Sequence, residues 1–558
     1  MSSSSIKLTI ALDIGARHSG YAYSLTDDPG NVVCSSFGDV TRTASSILLN
    51  KDGQFLSFGH DAEAQFQTTN LAGSQIGLLY RNFKRALYIN GLNKRTDIDD
   101  VSGKASRKVY DLFVMAIRYL KNHAIRALNR HVATYSENEA RYVIVVPAFA
   151  TDRAKWFVRQ AMMQAGIEAN RIALAYEGEM ASLWAQRMIG SVSKKGTKYM
   201  VVNIGGDVVD IVAHQSVDNG HVESLGAPSG GLWGGENAVT CFQSFFSLLF
   251  GLSVVETYAS THLANWLSFV HKAMTDIENM EAGDSTRTFT IPKKIVDMAC
   301  KSKGISDSSE LEKEISTPNC GGHFELHGNS LKVMVAAIAG MYQFTVIHVK
   351  NAVDTLLTHV GAFDHVIVVG GMSKCPIFRK QLQDRLAKVS FPEDGDVFTV
   401  QGAVLFGNDE SLVRSRYVSV TYGLHMTVPY DESKHKEGNT VDINGIKMCT
   451  DSFHPIIRAG SKLKYNESIH ENDIPLSADD KVQEVRIVSC GLVPNLPTLA
   501  THFSVNREAV IKFPLPFGCQ VENKAFERIA QVGGTELSFK FTFKKGAREI
   551  FVRYLEYE

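Results

Sequence analysis

One short pattern occurs twice in this chain. Residues 9–24 read TIALDIGARHSGYAYS, and residues 199–215 read YMVVNIGGDVVDIVAHQ. In both, an apolar run meets Asp or Asn, then Ile and Gly, then a short turn, then a second run. Aligning Asp13 with Asn203 pairs Ile14 with Ile204 and Gly15 with Gly205, 190 positions apart. Apolar runs flanking a glycine turn predict two strands joined tightly. Two such hairpins at this separation predict a duplicated unit rather than a short-period solenoid. Glycine in the turn permits positive φ and lets an anion reach bare backbone N–H groups. The second turn, however, carries an acid, Asp207, and starts from an amide, Asn203. A phosphate site, a damaged one and a plain hairpin all stay open at this point.

Each hairpin is followed by alternating elements. RYVIVVPAF (141–149) reads as a buried strand. Residues 151–165 read as a helix with Ala154, Phe157, Val158, Ala161, Met162 and Ala165 on one face, Thr151 or Asp152 at its start and Gly166 at its end. RIALAYEGEMASLWAQ repeats strand and helix. Further on, 331–360 reads as helical, DHVIVVGG (364–371) as a buried strand, CPIFRKQLQDRL as a helix and TVQGAVLFG as the start of another. This alternation predicts α/β layers. After about residue 410 strands dominate: RYVSVTYGLHMTVPY, KVQEVRIVSCGLV and ELSFKFTFKKGAREIFVRYLEY, the last a hairpin around Gly546. YDESKHKEGN (430–439) reads as an exposed loop. The expected organisation is a disordered start (1–5), an α/β unit over 6–409 and a small β-rich C-terminal domain over 410–558.

With 558 residues, two to four domains are expected at roughly 100–200 residues each. A net charge of −1 offers no global attraction to nucleic acid or an anionic membrane. The eight cysteines form no C-x-x-C pair, which speaks against a zinc or disulfide framework and suits a cytoplasmic or nucleocytoplasmic setting. MSSSSIKLTIALDIG lacks a charged segment followed by a long apolar one, so no signal peptide is expected. No apolar run approaches the roughly 20 residues of a membrane span.

IALDIG…SGYAYS, YVIVVPAFATDRAKWFVRQAMMQAGI, ALAYEGEMASLWA, NIGGDVVD, GGLWGGEN and VIVVGGMSKCPIFRKQL come in the order found in the actin-like ATPase superfamily. The set resembles the nucleotide-binding domain of the 70-kDa heat-shock proteins. SGYAYS, FKRALY, YLKNHAIRAL, MVVNIGG…VAHQ, VTYGL and CTDSFHPIIRAGSKL point to the divergent heat-shock 70 kDa protein 12 branch. The resemblance covers nearly the whole chain. It implies two lobes, about 6–198 and 199–409, each on a ribonuclease-H-like sheet, with ATP or ADP and Mg²⁺ in the cleft.

Against that template the departures stand out. The family's first hairpin reads Asp-x-Gly-Thr-Thr; here it is DIGARH, keeping Asp13 and Gly15 and replacing the threonines with Ala16 and Arg17. Arg17 is either a bidentate phosphate contact or a solvent-facing side chain. The second hairpin reads Asp-x-Gly-Gly-Gly-Thr-x-Asp; here it is NIGGDVVD, keeping Gly205, Gly206 and Asp210. Asn203 cannot accept a proton, and losing a positioned base costs on the order of 10²–10⁴ in rate. Val208 lacks the hydroxyl. Asp207 places negative charge where phosphate charge is expected, unless it serves as a relocated Mg²⁺ ligand.

The resemblance implies catalytic roles for Lys84, Glu177 and Asp210, and Mg²⁺ contacts through water at Asp13 and Asp210. It implies nucleotide contacts at Gly234, Gly235, Glu236, Gly370 and Gly371, besides the two turns. The bland alternatives are a surface Lys84 beside Arg81 and Arg85, and a solvent-facing Glu177. Gly178 stands where the family has proline, and no adenine-side Glu-x-x-Lys pattern is found in FVHKAMTDIENMEAG. The family's acidic, leucine-rich linker is not found in GNDESLVRSRYVSVTYG, nor are its helical lid and acidic tail motif. The expected function is a divergent, chaperone-like or regulatory protein that binds ATP and hydrolyses it weakly or not at all, with protein or peptide partners at the C-terminal region. A nucleotide-free scaffold and a working ATPase with relocated ligands are the alternatives.

Overall fold

The computed structural model describes residues 5–558 apart from 72–76, 89–91, 131–134, 282, 307, 317–321, 437, 444, 472–481, 515–525, 533, 537, 544–548 and 553–558. Residues 1–4 and the turn around Gly546 therefore lie outside the described residues.

Two mixed sheets carry the two hairpins. The first runs, in spatial order, Ile172–Tyr176, Ala140–Val146, Leu8–Ile14, His18–Leu25 and Asp28–Cys34. The second runs Val389–Ser390, His365–Val369, Lys198–Ile204, Val209–Ser216 and Val222–Ser224, and continues with Val413–Tyr417 and Lys462–Lys464. In both, the hairpin strands pair antiparallel and two later strands add in parallel beside the first of them. The registers also match. Ile14 faces Ser19 and Asp13 faces Gly20; Ile204 faces Val209 and Asn203 faces Asp210. The duplication seen in sequence is thus a duplication of strand order and register, consistent with an actin-like ATPase fold.

Period-two alternation explains the layering. Leu8, Ile10, Leu12 and Ile14 face helices Val109–Leu128 and Asp152–Gln164 on the outer side of the first sheet. Met200, Val202 and Ile204 face helices Glu236–Phe250, Leu263–Glu278 and Gln343–Val360 on the outer side of the second. Ala11, Val143, Tyr199 and Val201 point the other way, into a core between the sheets filled by helices Glu177–Met188 and Phe398–Asn408. Those two helices touch backbone to backbone: a Cβ on Gly402 would lie 1.8 Å from the Met180 carbonyl oxygen. Only glycine permits that approach.

Helix Asp152–Gln164 starts as expected, with Thr151 Oγ1 accepting from the Ala154 amide. Residues 331–360 are not helical throughout. Ser330–Met334 is a strand pairing with Thr286–Thr290, and helices follow at Val335–Gly340 and Gln343–Val360. Leu331 and Val333 alternate into the core, a two-residue period hidden inside an apolar stretch. The polar stretch 430–439 is not a plain exposed loop either. It holds a short helix, Glu432–His435, and His435 is buried.

Beyond residue 410 most strands form two antiparallel sheets, one of five strands from Thr421 onward and one of four. RYVSVTYGLHMTVPY is split between sheets. Val413–Tyr417 extends the second α/β sheet, while Thr421–Pro429 is central in the five-stranded one. Arg416 makes a buried bidentate pair with Glu179, and Tyr422 donates to Asp152 at 2.6 Å. No single described helix is long and apolar enough to cross a membrane.

Candidate functional site

The turns of both hairpins open on one cleft. It is lined by Asp13, Gly15, Ala16, Arg17, Lys84, Glu177, Asn203, Gly205, Gly206, Asp207, Gly370 and Gly371. The ladders place Asp13 and Asn203 at corresponding strand ends, each the last residue but one before its turn. The turns nearly touch: a Cβ on Gly206 would lie 2.8 Å from Arg17 Cγ.

Lys84 lies on a 3₁₀ turn, Phe83–Tyr88, and is buried rather than on the surface. Its Nζ is 2.6 Å from Glu177 Oε1, and Glu177 is buried too. Burial disfavours the Lys84 ammonium, but Glu177, Asp13 and Asp210 outweigh it and lift the amine above its ordinary value. Burial and Asp13 likewise raise Glu177 against the pull of Lys84.

Asp210 sits behind the cleft wall, fully buried, and does not line the cleft. Its Oδ1 accepts from the Ala148 amide at 3.2 Å, and its Oδ2 has no hydrogen-bond partner among the described residues. Burial, then Glu177, push its carboxyl well above the usual range. Gly178, where the family has proline, lies against it: a Cβ there would meet Asp210 Cβ at 3.2 Å. Asp207 lines the cleft with a buried Oδ2 lacking a partner among the described residues, and burial raises its carboxyl to about 6.

Gly234, Gly235 and Glu236 do not line the cleft. Their amides donate to the carbonyls of Asp207, Gly205 and Gly206 at 2.9, 3.1 and 2.7 Å. The second turn thereby caps the start of helix Glu236–Phe250. The donors that a helix N-terminus would offer an anion are used inside the protein. Gly370 and Gly371 do line the cleft, and Gly370 has φ +90. A Cβ there would meet the Ile204 carbonyl oxygen at 2.4 Å, so this turn rests on the second hairpin.

No family model matches the chain. Human heat shock 70 kDa protein 12A is 25% identical over 564 residues, covering 87% of this chain and 82% of that protein. Human heat shock 70 kDa protein 12B is 22% identical over 561 residues, covering 87% and 81%. The chaperone protein DnaK of Thermosipho africanus is 20% identical over 528 residues, covering 90% and 76%. The chain is similar to the heat shock 70 kDa protein 12 branch along most of its length.

Several cleft residues escape that resemblance. Arg42 is the chief one: Nη2 lies 2.6 Å from Asp13 Oδ2 and 2.9 Å from the His18 carbonyl, and Nη1 donates to the Asp396 carbonyl at 2.9 Å. No motif surrounds it in TRTASS; only the fold brings it 29 positions back to Asp13. Glu278 receives Arg17 at 3.3 Å. It ends helix Leu263–Glu278, inside the stretch in which the adenine-side pattern is missing. Tyr88 presents a hydroxyl without a partner among the described residues, and burial keeps its proton on.

The chemistry of this donor set suits an anion better than a hydrated divalent cation. Glycine turns and three cationic side chains, Arg17, Arg42 and Lys84, converge. Among the described residues no three His, Cys, Asp or Glu side chains come together to hold a metal ion.

Proposed function

We propose that the cleft binds the phosphates of ATP or ADP and hydrolyses ATP weakly or not at all, with nucleotide acting as a conformational ligand of a chaperone-like or regulatory protein. The observation that carries this reading is the pair of glycine turns, matched in register, converging with Arg17, Arg42 and Lys84 on one cleft. The heat-shock-70-like relatives support it. In this reading the two sheets are the two lobes of an actin-like domain, and the strands beyond residue 410 form a partner-binding region.

The residues also account for poor hydrolysis. Lys84 lines the cleft, but its ammonium is already paired with Glu177. Asn203 stands where a carboxylate would order attacking water, and an amide accepts no proton. Asp13 is engaged by Arg42. Bound nucleotide would supply charge for Arg17 and Arg42, and little else in the cleft is arranged to move a proton.

A second reading, a nucleotide-free scaffold, is favoured by one set of observations: the helix-start amides and all three cations already have internal partners. Isothermal titration with ATP and with ADP, alongside melting curves, separates the two. Micromolar binding with little turnover supports the first. No heat and no change in Tm at millimolar nucleotide supports the second. Turnover abolished by Asp207→Ala would replace both with a working ATPase.

A further inference from the structure

We propose that Arg42 is the built-in counter-cation of this cleft, and that it lets the cleft hold a nucleotide polyphosphate without a divalent metal. The inference rests on the nucleotide-binding reading above and sharpens it.

The seat of Arg42 is built. Its guanidinium is clasped by one carboxylate oxygen and two carbonyls, at 2.6, 2.9 and 2.9 Å, from the first hairpin and from the loop before helix Phe398–Asn408. The first hairpin makes room for it. A Cβ on Gly20 would lie 3.5 Å from Arg42 Cγ, and one on Gly15 3.2 Å from Nη2. A guanidinium has five N–H donors in a fixed fork. The three bonds made here leave two for a ligand, and the side chain keeps 19% of its surface exposed on the cleft.

The carboxylates that could instead carry a metal and its waters are accounted for. Asp13 is paired with Arg42 at 2.6 Å. Position 203 is an amide. Asp210 is fully buried behind the wall, and Glu177 is paired with Lys84. Glu278 and Asp396, which also line the cleft, are paired with Arg17 and Lys374, so among the described cleft acids Asp207 alone has no ionic partner within bonding distance, and a single carboxylate is a poor site for a hard cation that needs several oxygens. A metal at Asp13 would also have to approach a guanidinium, which stays protonated throughout the accessible pH range. The cleft therefore supplies positive charge from the chain, where it is fixed in place and indifferent to chelators.

The test is calorimetric titration of the full chain with ATP, in excess Mg²⁺ and in excess EDTA, for the wild type and Arg42→Gln. The expected result is a wild-type Kd that agrees within about threefold between the two conditions, with Arg42→Gln weakened about tenfold or more in EDTA. Mg²⁺ should then recover part of that loss in the variant only, because Asp13 is freed. If Arg42→Gln melts too low to titrate, Arg42→Lys keeps the charge but not the fork and should show an intermediate loss. A wild type that binds only with Mg²⁺ overturns this inference and leaves the nucleotide reading standing. Loss of that Mg²⁺ dependence in Asp207→Asn would then locate the metal at Asp207. An Arg42→Gln protein that matches the wild type in EDTA also overturns it. Absence of binding in both conditions overturns the nucleotide reading, and this inference with it.

Discussion

The two hairpins share a register, a place in their sheets and a glycine turn, yet their turns are used differently. The first keeps its acid, Asp13, and sets an arginine from elsewhere in the chain on it. The second has lost the matching acid to Asn203, gained one at Asp207, and given its turn carbonyls to the start of helix Glu236–Phe250. Backbone pairing fixes where a strand end sits, because a one-residue slip would turn every core side chain outward. No such constraint holds the turn's side chains. The ladder is therefore preserved in both copies while the cleft chemistry has diverged, and the first turn is left better equipped to meet an anion.

The floor between the hairpins gives the largest expected effect. Lys84→Met leaves Glu177 buried without its partner, which costs about 3–5 kcal/mol when one member of a buried pair is removed. Urea denaturation should show it as a lowered midpoint at unchanged slope. Adding Glu177→Gln should restore part of the loss. A change under about 1 kcal/mol would mean that the pair does not hold the floor together.

The turns can then be compared by filling them. A Cβ on Gly15 would lie 2.2 Å from the His18 carbonyl oxygen, and one on Gly234 2.5 Å from the Asp207 carbonyl carbon. Both obstacles are backbone, so no side chain can swing away. Each alanine should cost about 1–3 kcal/mol. Gly371, whose Cβ would meet nothing within 4 Å, should tolerate alanine in the same cleft. Equal losses at Gly15 and Gly234 would show two equally anchored turns. A small loss at Gly234 alone would show that the helix start can yield, and that its amides can be released to a ligand.

Asp207 sharpens the contrast through pH. Burial is the main cause of its raised carboxyl, opposed by Arg85, Lys84 and Arg17 and reinforced by Glu236. Its folded value is about 6 against an ordinary 3.8. Between those values the unfolded chain has ionised this group and the folded one has not, so stability falls as pH rises through the window and the loss is complete above it. Asp207→Asn should therefore stabilise the protein by on the order of 2 kcal/mol at pH 7 and by almost nothing below pH 4. The measurement is the difference in urea midpoint between the two proteins across that range. A difference independent of pH would show that Asp207 is not held protonated by burial.

Much of this was legible in the sequence because it is carried by local pattern. The hairpins, their alignment and the strand–helix alternation follow from apolar period and glycine placement. The strand at 330–334 is hidden because its two-residue period lies within an apolar stretch that also suits a helix. The site was legible only where a residue sits inside a motif. Lys84 is exposed or buried according to whether Glu177 reaches it from 93 positions away. Arg42 and Glu278 enter the cleft through tertiary contacts that leave no local trace. The resemblance implies nucleotide contacts at Gly234, Gly235 and Glu236, but their amides are taken by carbonyls of the second turn, a pairing that no local pattern signals.

Arg17 gives the smallest expected effect on stability and one of the more informative on function. Its pair with Glu278 is long, at 3.3 Å, and both side chains are partly exposed, so water screens it. Pairs of this kind contribute about 0–1 kcal/mol, and Arg17→Ala should shift the melting midpoint little. Affinity is another matter. Arg17 lies on the first turn within reach of Gly206 on the second, where both turns line the cleft. If it contacts phosphate, Arg17→Ala should weaken ATP about tenfold while Glu278→Gln, which releases the guanidinium, should leave affinity equal or better. If it serves only to hold helix Leu263–Glu278 against the first hairpin, the two variants should behave alike. The ratio of their affinities therefore decides whether the replacement of threonine by arginine on the first turn made a ligand contact or a strut.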